Sequence, residues 1–121
     1  MPTATYRWVI ADGFLPATSQ GDQVSHESVC VLNLSRVTAH LTLTLYYEDA
    51  PPQPGFHAQC PAERCHHIRL DRLRDQEGSP VPRGLAYAIV VESDVDVIVQ
   101  HTRLDTSQQA LALMTTMAHP L

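Results

Sequence analysis

A strict alternation of apolar and polar residues runs through residues 37–47 and limits what this chain can fold into. The odd-numbered positions hold Val, Ala, Leu, Leu, Leu and Tyr, and the even-numbered positions between them hold Thr, His, Thr, Thr and Tyr. Successive side chains of a β-strand point to opposite faces of a sheet, so this period of two predicts a half-buried strand. The Thr and Tyr residues of the even-numbered face carry no charge, although charge usually protects exposed sheet surfaces. This face is therefore either a subunit contact or an ordinary Thr-rich outer face.

Shorter segments of the same kind recur along the chain. We predict further strands at residues 6–12, 28–34, 56–60, 65–70, 86–92 and 95–102, separated by connections at 13–23, 49–55 and 71–83 that are rich in Pro, Gly and polar residues. The short spacings favour hairpins that join 28–34 to 37–47, 56–60 to 65–70, and 86–92 to 95–102.

The segment of residues 105–117 permits two interpretations. Its Ala and Leu content suits a helix, but Leu111, Leu113, Thr115 and Met117 alternate, and we favour a final strand. Seven or eight short strands without a long helical pattern predict an all-β fold, an antiparallel β-sandwich of jelly-roll type. A length of 121 residues predicts one domain over residues 1–121.

Charge and cysteine content disfavour several classes of protein. The net charge is −5 and all eight basic residues are Arg, so non-specific binding of nucleic acid is not expected. The sequence contains no apolar run long enough to insert into a membrane and no signal-peptide pattern at its start. Three Cys residues without a disulfide-framework spacing indicate a cytoplasmic location.

Polar side chains continue the apolar row of one predicted strand. The valines of residues 95–99 share one face, and His101 and Arg103 extend the same row. Glu27 occupies the equivalent row of the strand at 28–34 if the valines of that strand face the core. An unpaired buried charge is costly, so we predict that Glu27 meets Arg103 and His101 at one end of the sandwich.

Two readings of this polar row stay open. It is either a purely structural ion pair or a polar pocket in which Trp8 supplies an apolar wall, with Asn33 on the same row at the far end of its strand. An aromatic face with carboxylate, amide and guanidinium groups suits a sugar-like ligand.

Catalytic and metal-binding functions have weaker support. His26, Glu27, His101 and Asp105 are residue types that serve acid–base catalysis, but no nucleophile motif accompanies them. Cys and His residues at 60, 65, 66 and 67 could suggest zinc, yet adjacent histidines of a strand point to opposite faces. We therefore predict neither enzymatic activity nor a metal or other cofactor.

Several blocks of the sequence, taken in order, resemble the sensory rhodopsin transducer family. They are Trp8 and Gly13, then Ser25-His26-Glu27-x-Val29-Cys30-x-Leu32-Asn33, Tyr46-Tyr47-x-Asp49, Pro61-Ala62-x-Arg64-x-x-His67-x-Arg69 and Val99-Gln100-His101-Thr102-Arg103-Leu104-Asp105. The resemblance implies a small cytoplasmic β-sandwich that assembles as a homotetramer.

The resemblance also implies where a ligand binds and what the chain does. The implied ligand-binding residues are Trp8, His26, Glu27, Asn33, Gln100, His101, Arg103 and Asp105. The expected function is a non-enzymatic signalling module that binds a small molecule, with sugars as the suggested class. The alternative is a transducer that couples to the cytoplasmic face of a sensory rhodopsin and has no small-molecule ligand. A carbohydrate-active enzyme is the weakest of the three hypotheses.

Overall fold

The computed structural model describes residues 5–121, which form nine β-strands and, in that range, no α-helix. The strands are β1 (Tyr6–Gly13), β2 (His26–Asn33), β3 (Ala39–Tyr46), β4 (Gln53–Cys60), β5 (Arg64–Arg69), β6 (Tyr87–Ser93), β7 (Ile98–Asp105), β8 (Ala112–Met117) and β9 (His119–Pro120). A single 3-10 turn, Leu70–Arg72, follows β5. No helix within these residues has the length and hydropathy of a membrane span.

The strands form two antiparallel sheets that pack face to face. The five-stranded sheet has the order β4-β3-β6-β1-β9, and the four-stranded sheet has the order β5-β2-β7-β8. The predicted all-β sandwich is confirmed. The favoured interpretation of residues 105–117 is also confirmed, because Ala112–Met117 is a strand.

The core lies between the sheets and follows the alternation seen in the sequence. Ala39, Leu41, Leu43 and Leu45 of β3 are fully buried, while the Thr residues between them are half-buried. Val29 and Val31 of β2 and Val99 of β7 meet this row from the other sheet. Burial of each Leu or Val side chain in these rows contributes about 1.5–3 kcal/mol to stability.

The three predicted hairpins are wrong. Within residues 5–121, β3–β4 and β7–β8 are the only consecutive strands that pair, and the other connections cross from one sheet to the opposite sheet. The turn after β2 illustrates why, because the buried Asn33 amide donates hydrogen bonds to the carbonyl oxygens of Val37 (2.8 Å) and Cys60 (3.0 Å). These bonds hold the end of β2 against the neighbouring layer, so a short loop can cross between sheets.

These crossings bring several strand ends to one end of the sandwich. β1, β3 and β7 end there, and β2 and β6 begin there, as the pairings Gly13↔Tyr87 and Glu27↔Arg103 require. At this end the Tyr87 ring packs directly on the backbone of Gly13, where an added Cβ would overlap the ring. Gly13 is therefore needed for close approach, and it directs the Tyr87 hydroxyl inwards.

We expect Gly13→Ala to lower the free energy of unfolding by about 2 kcal/mol, because the new methyl group displaces the Tyr87 ring. Urea denaturation followed by circular dichroism measures the change. The control is Ala11→Ser, an exposed change on the same strand, which leaves stability nearly unchanged. Equal stability of Gly13→Ala and wild type would contradict this account of the packing.

Candidate functional site

Glu27 is a fully buried carboxylate near the start of β2, and donors from three other segments surround it. Its Oε2 accepts hydrogen bonds from Arg103 Nε (2.7 Å) and from the Phe14 amide (2.8 Å). Its Oε1 accepts a short hydrogen bond from the Tyr87 hydroxyl and lies 3.4 Å from His101 Nε2. We call Glu27, Tyr87, His101 and Arg103 the carboxylate cluster.

The surroundings of Glu27 keep it ionised. Burial on its own raises the pKa of Glu27, but contacts with His101, Tyr87, the Phe14 amide and Arg103 outweigh burial and hold the pKa below its ordinary value. Burial, and then the Glu27 charge, raise the pKa of Tyr87 far above its ordinary value. Burial lowers the pKa of Arg103, but the Glu27 carboxylate more than offsets this, so the pKa is raised overall. The cluster therefore holds a carboxylate, a neutral phenol and a guanidinium.

His101 is the least satisfied member of the cluster. Its side chain is 1% exposed, and neither ring nitrogen has a hydrogen bond to any residue in the described part of the chain. The 3.4 Å separation from Glu27 lets the two groups interact electrostatically without a well-formed hydrogen bond. An imidazole held in this way leaves the cluster with a spare donor or acceptor.

Arg103 connects the buried cluster to the protein surface. Its side chain is 18% exposed, and its Nη2 donates to the Asp12 carbonyl at 3.3 Å and lies 3.5 Å from Asp12 Oδ1. The Asp12 side chain is 79% exposed. A change at the Asp12 carboxylate can therefore reach Glu27 through a single guanidinium.

A groove adjoins the cluster on the outer face of the five-stranded sheet. It consists of two neighbouring hollows of about 460 Å³ and 250 Å³. We call it the tyrosine groove, and its lining residues are Ala11, Asp12, Tyr46, Tyr47, Glu48, Asp49, Ala50, Gly84, Leu85, Ala86, Tyr87 and Ala88. Asp12 and Tyr87 belong to both the groove and the surroundings of Glu27, so the groove adjoins the carboxylate cluster directly.

Of the eight ligand-binding residues implied by the sequence, the structure brings three together: Glu27, His101 and Arg103. Trp8 is buried in β1, in the core of the sandwich. Asn33 lies at the opposite end of β2, where its amide serves the turn described above. The cluster is tightly filled, and Glu27 itself is not exposed.

The remaining implied residues lie outside the cluster. His26 is on the outer face of the four-stranded sheet, where its Nδ1 donates to the Val24 carbonyl at 2.9 Å. Gln100 is exposed on that same face, and its side-chain amide donates a hydrogen bond to Met117 Sδ at 3.3 Å. Asp105 accepts hydrogen bonds from the Ser107 amide (2.8 Å) and hydroxyl (2.6 Å) and shapes the turn that leads to β8.

Two side chains of the site were missed by the sequence reasoning. Tyr87 alternates with Ile89 and Val91 on the inner row of β6, and a buried tyrosine hydroxyl needs a partner, so this pattern could have revealed it. Asp12 gave no such signal, because its role depends on the irregular pairing between Ile10 and Gly13 at the end of β1.

The cysteines and neighbouring histidines do not converge. Cys60 is buried and its thiol contacts the Arg64 carbonyl at 3.2 Å, whereas Cys65 is exposed. His66 Nδ1 donates a hydrogen bond to the Gln59 carbonyl. His67 lies opposite Cys30 of the neighbouring strand β2. Residues 5–121 contain no group of three or more His, Cys, Asp or Glu side chains that could hold one metal ion.

Comparison with known proteins identifies relatives of the whole domain. The family model of the Anabaena sensory rhodopsin transducer matches residues 3–120. The crystal structure of Thermotoga maritima 1070 is similar, with a TM-score of 0.83 and 33% identity over 98% of this chain and 96% of that chain. The structure of the Anabaena sensory rhodopsin transducer has a TM-score of 0.73 and 38% identity over 83% of this chain and 88% of that chain. No curated protein matches the chain in sequence.

We expect Glu27→Gln to lower the free energy of unfolding by about 3 kcal/mol at neutral pH, because it leaves the Arg103 guanidinium without its buried partner. The folded-state pKa of Glu27 is below its unfolded value, so its stabilisation is present above the unfolded pKa and is lost as the pH falls through the folded pKa. The variant should therefore lose less stability than wild type between neutral pH and about pH 3.

Urea denaturation at a series of pH values measures this difference. Glu77→Gln removes an exposed carboxylate and is the matched control, with the acid dependence of the wild type. An unchanged acid dependence in Glu27→Gln would show that the charge of Glu27 does not stabilise the fold.

Proposed function

The chain belongs to the Anabaena sensory rhodopsin transducer family, and from this premise we propose that it is a non-enzymatic signal-transducing module that receives a protein surface at the tyrosine groove. The proposed place of action is the cytoplasm, where free thiols such as those of its three cysteines are maintained. The protein surface is by analogy that of a sensory rhodopsin, since the name of one relative refers to this partner.

The bridge formed by Arg103 is the observation that carries this proposal. One guanidinium contacts both the exposed Asp12 at the groove and the buried Glu27. A partner that changes the position or the charge environment of Asp12 would shift the balance between these two contacts. A partner can shift such an equilibrium only by as much as its affinities for the two states differ.

The output of the module is proposed to be a change at β8. Arg103 is paired in register with Met114 of β8, which is the edge strand of its sheet. All six residues of β8 are exposed, and residues 106–118 carry no charged side chain. An uncharged apolar edge of this kind suits a contact with further copies of the chain, which supports the expected homotetramer. We therefore propose that the subunit contact lies at β8 and not at the Thr-rich face of β3.

We propose that the chain is not an enzyme, because a substrate could not reach its acid–base candidates. Glu27 and His101 are the strongest acid–base candidates, but their side chains are 0% and 1% exposed. A general acid or base must come within hydrogen-bond reach of a substrate. The packing of the cluster supports a structural and signalling role for these groups.

We expect Arg103→Lys to alter β8 more than the core, because lysine keeps the charge but cannot contact Glu27 and Asp12 with separate nitrogens. Amide hydrogen exchange should rise selectively in β8, and the dissociation constant of the oligomer, measured by light scattering on dilution, should rise by about fivefold or more. Arg74→Lys, an exposed change in the connection before β6, is the control and should leave both values unchanged.

The proposal is contradicted by exchange that rises equally in β3 and β8, since this result would indicate general destabilisation without directed coupling. A monomer at every concentration would contradict the proposed assembly.

A small sugar-like molecule in the same groove is the second candidate. Tyr46 and Tyr47 lie beside Asp12 and Glu48, and aromatic faces combined with hydrogen-bonding carboxylates suit a polyhydroxylated solute. The groove supports this candidate better than the carboxylate cluster does, because the cluster is already filled by protein side chains.

We expect a sugar that binds the folded chain to raise its melting temperature, since saturation at about 100 times the dissociation constant adds about 2.7 kcal/mol of stability. Thermal denaturation with a panel of monosaccharides and polyols tests this, with Tyr46→Ser as the groove variant that should lose the shift. The absence of any shift would reject the second candidate, and turnover of a glycoside would reject the non-enzymatic function.

A further inference from the structure

We infer that the occupant of the tyrosine groove is a segment of a partner protein that carries arginine or lysine side chains. This inference deepens the proposed function and rests on it, because it specifies the chemistry of the protein surface that the module receives. Three features of the groove support it: the charge of its rim, the aromatic residues that line it, and its open form.

The rim of the groove carries three carboxylates and, among its described lining residues, no cationic side chain. Glu48 and Asp49 are exposed and form no ion pair with any residue of 5–121. The Asp12 side chain is 79% exposed, and within residues 5–121 its carboxylate has only the 3.5 Å contact with Arg103. The rim is therefore electrostatically complementary to a cation and repels an acidic segment.

The aromatic residues of the groove add a second attraction for the same chemistry. Tyr46 is 44% exposed, and Tyr47 is half-buried with its hydroxyl donated to Gln53 Oε1 at 2.5 Å. A guanidinium or ammonium group binds favourably over the face of a tyrosine ring. Arginine fits best, because its planar group can stack on a ring and pair with a carboxylate at the same time.

The open form of the groove favours a chain segment over an enclosed solute. The two hollows adjoin along Tyr47, Glu48 and Ala86, and Leu85 adds an apolar side chain that is 45% exposed. A small ligand usually buries most of its surface in its site, whereas a peptide can cover a longer open channel. Cytoplasmic loops of membrane proteins are enriched in Lys and Arg, so such a segment is available on the kind of partner proposed above.

A cation in the groove would also act on the Arg103 bridge. A guanidinium beside Asp12 repels Arg103 and competes for the Asp12 carboxylate, so Arg103 is driven towards Glu27. Binding of a basic segment is in this way coupled to the carboxylate cluster through the Arg103 side chain.

The test uses a capped, fluorescein-labelled peptide in which Arg alternates with Ala, and a matched peptide in which citrulline replaces each Arg. Fluorescence anisotropy with the full chain measures binding at low and high salt. We expect the Arg peptide to bind about tenfold or more tightly than the neutral citrulline peptide, with an affinity that falls as salt rises.

Matched variants assign the binding to the groove. Glu48→Gln with Asp49→Asn should weaken the Arg peptide by about tenfold, whereas Asp22→Asn with Glu77→Gln, which removes the same charge elsewhere, should change its affinity less than about twofold. Tyr46→Ser should also weaken binding, and Tyr6→Ser is its control, because Tyr6 is 42% exposed and lies outside the groove lining. Melting temperatures confirm that each variant is folded.

Three outcomes overturn the inference. Equal loss in the groove and control variants means that the net charge of −5, and not the groove, attracts the peptide. Equal binding of the citrulline peptide means that charge is not recognised, which would favour the neutral solute. If neither peptide binds, the proposal of a cationic partner is rejected. If the peptide binds in the groove but Arg103→Lys shows no selective effect on β8, the proposed transduction fails while this inference stands.

Discussion

The Glu27 carboxylate has no contact with solvent, yet it stays ionised, and this requires donors from distant parts of the chain. One donor is Arg103 of β7, another is the hydroxyl of Tyr87 in β6, and a third is the backbone amide of Phe14, which directly follows β1. A buried charge that lost these partners would cost several kcal/mol. The two sheets are therefore held at one end by a polar interaction that specifies their relative position, in addition to the apolar core that holds them together.

The sequence predicted the inner rows of the strands because alternation is a local property of the chain. It also predicted that Glu27 meets Arg103, since a carboxylate buried on an inner row needs a partner of opposite charge. The hairpins could not be predicted in the same way, because the choice between pairing within a sheet and crossing to the other sheet depends on contacts such as those of Asn33 with Val37 and Cys60. Cys60 is distant from Asn33 in sequence, and neither contact leaves a periodic signal.

The candidate site shows the same division between local and non-local information. The resemblance to a family directed attention to polar residues along β2 and β7, but adjacent residues of a strand face opposite ways. His26 and Gln100 therefore lie on the outer face while Glu27 and His101 lie inside. The tyrosine groove could not be foreseen, because β1, β3 and β6 form it together at their ends.

Strand β8 has a consequence for the behaviour of an isolated chain. Among residues 5–121 its outer backbone edge is unpaired, and its apolar side chains, including the 69% exposed Leu113, are open to solvent. Such an edge can template the addition of other extended chains, and the uncharged sequence around it offers no gatekeeper. An isolated chain is consequently open to amyloid-like aggregation at β8, and any neighbour that covered this edge would protect it.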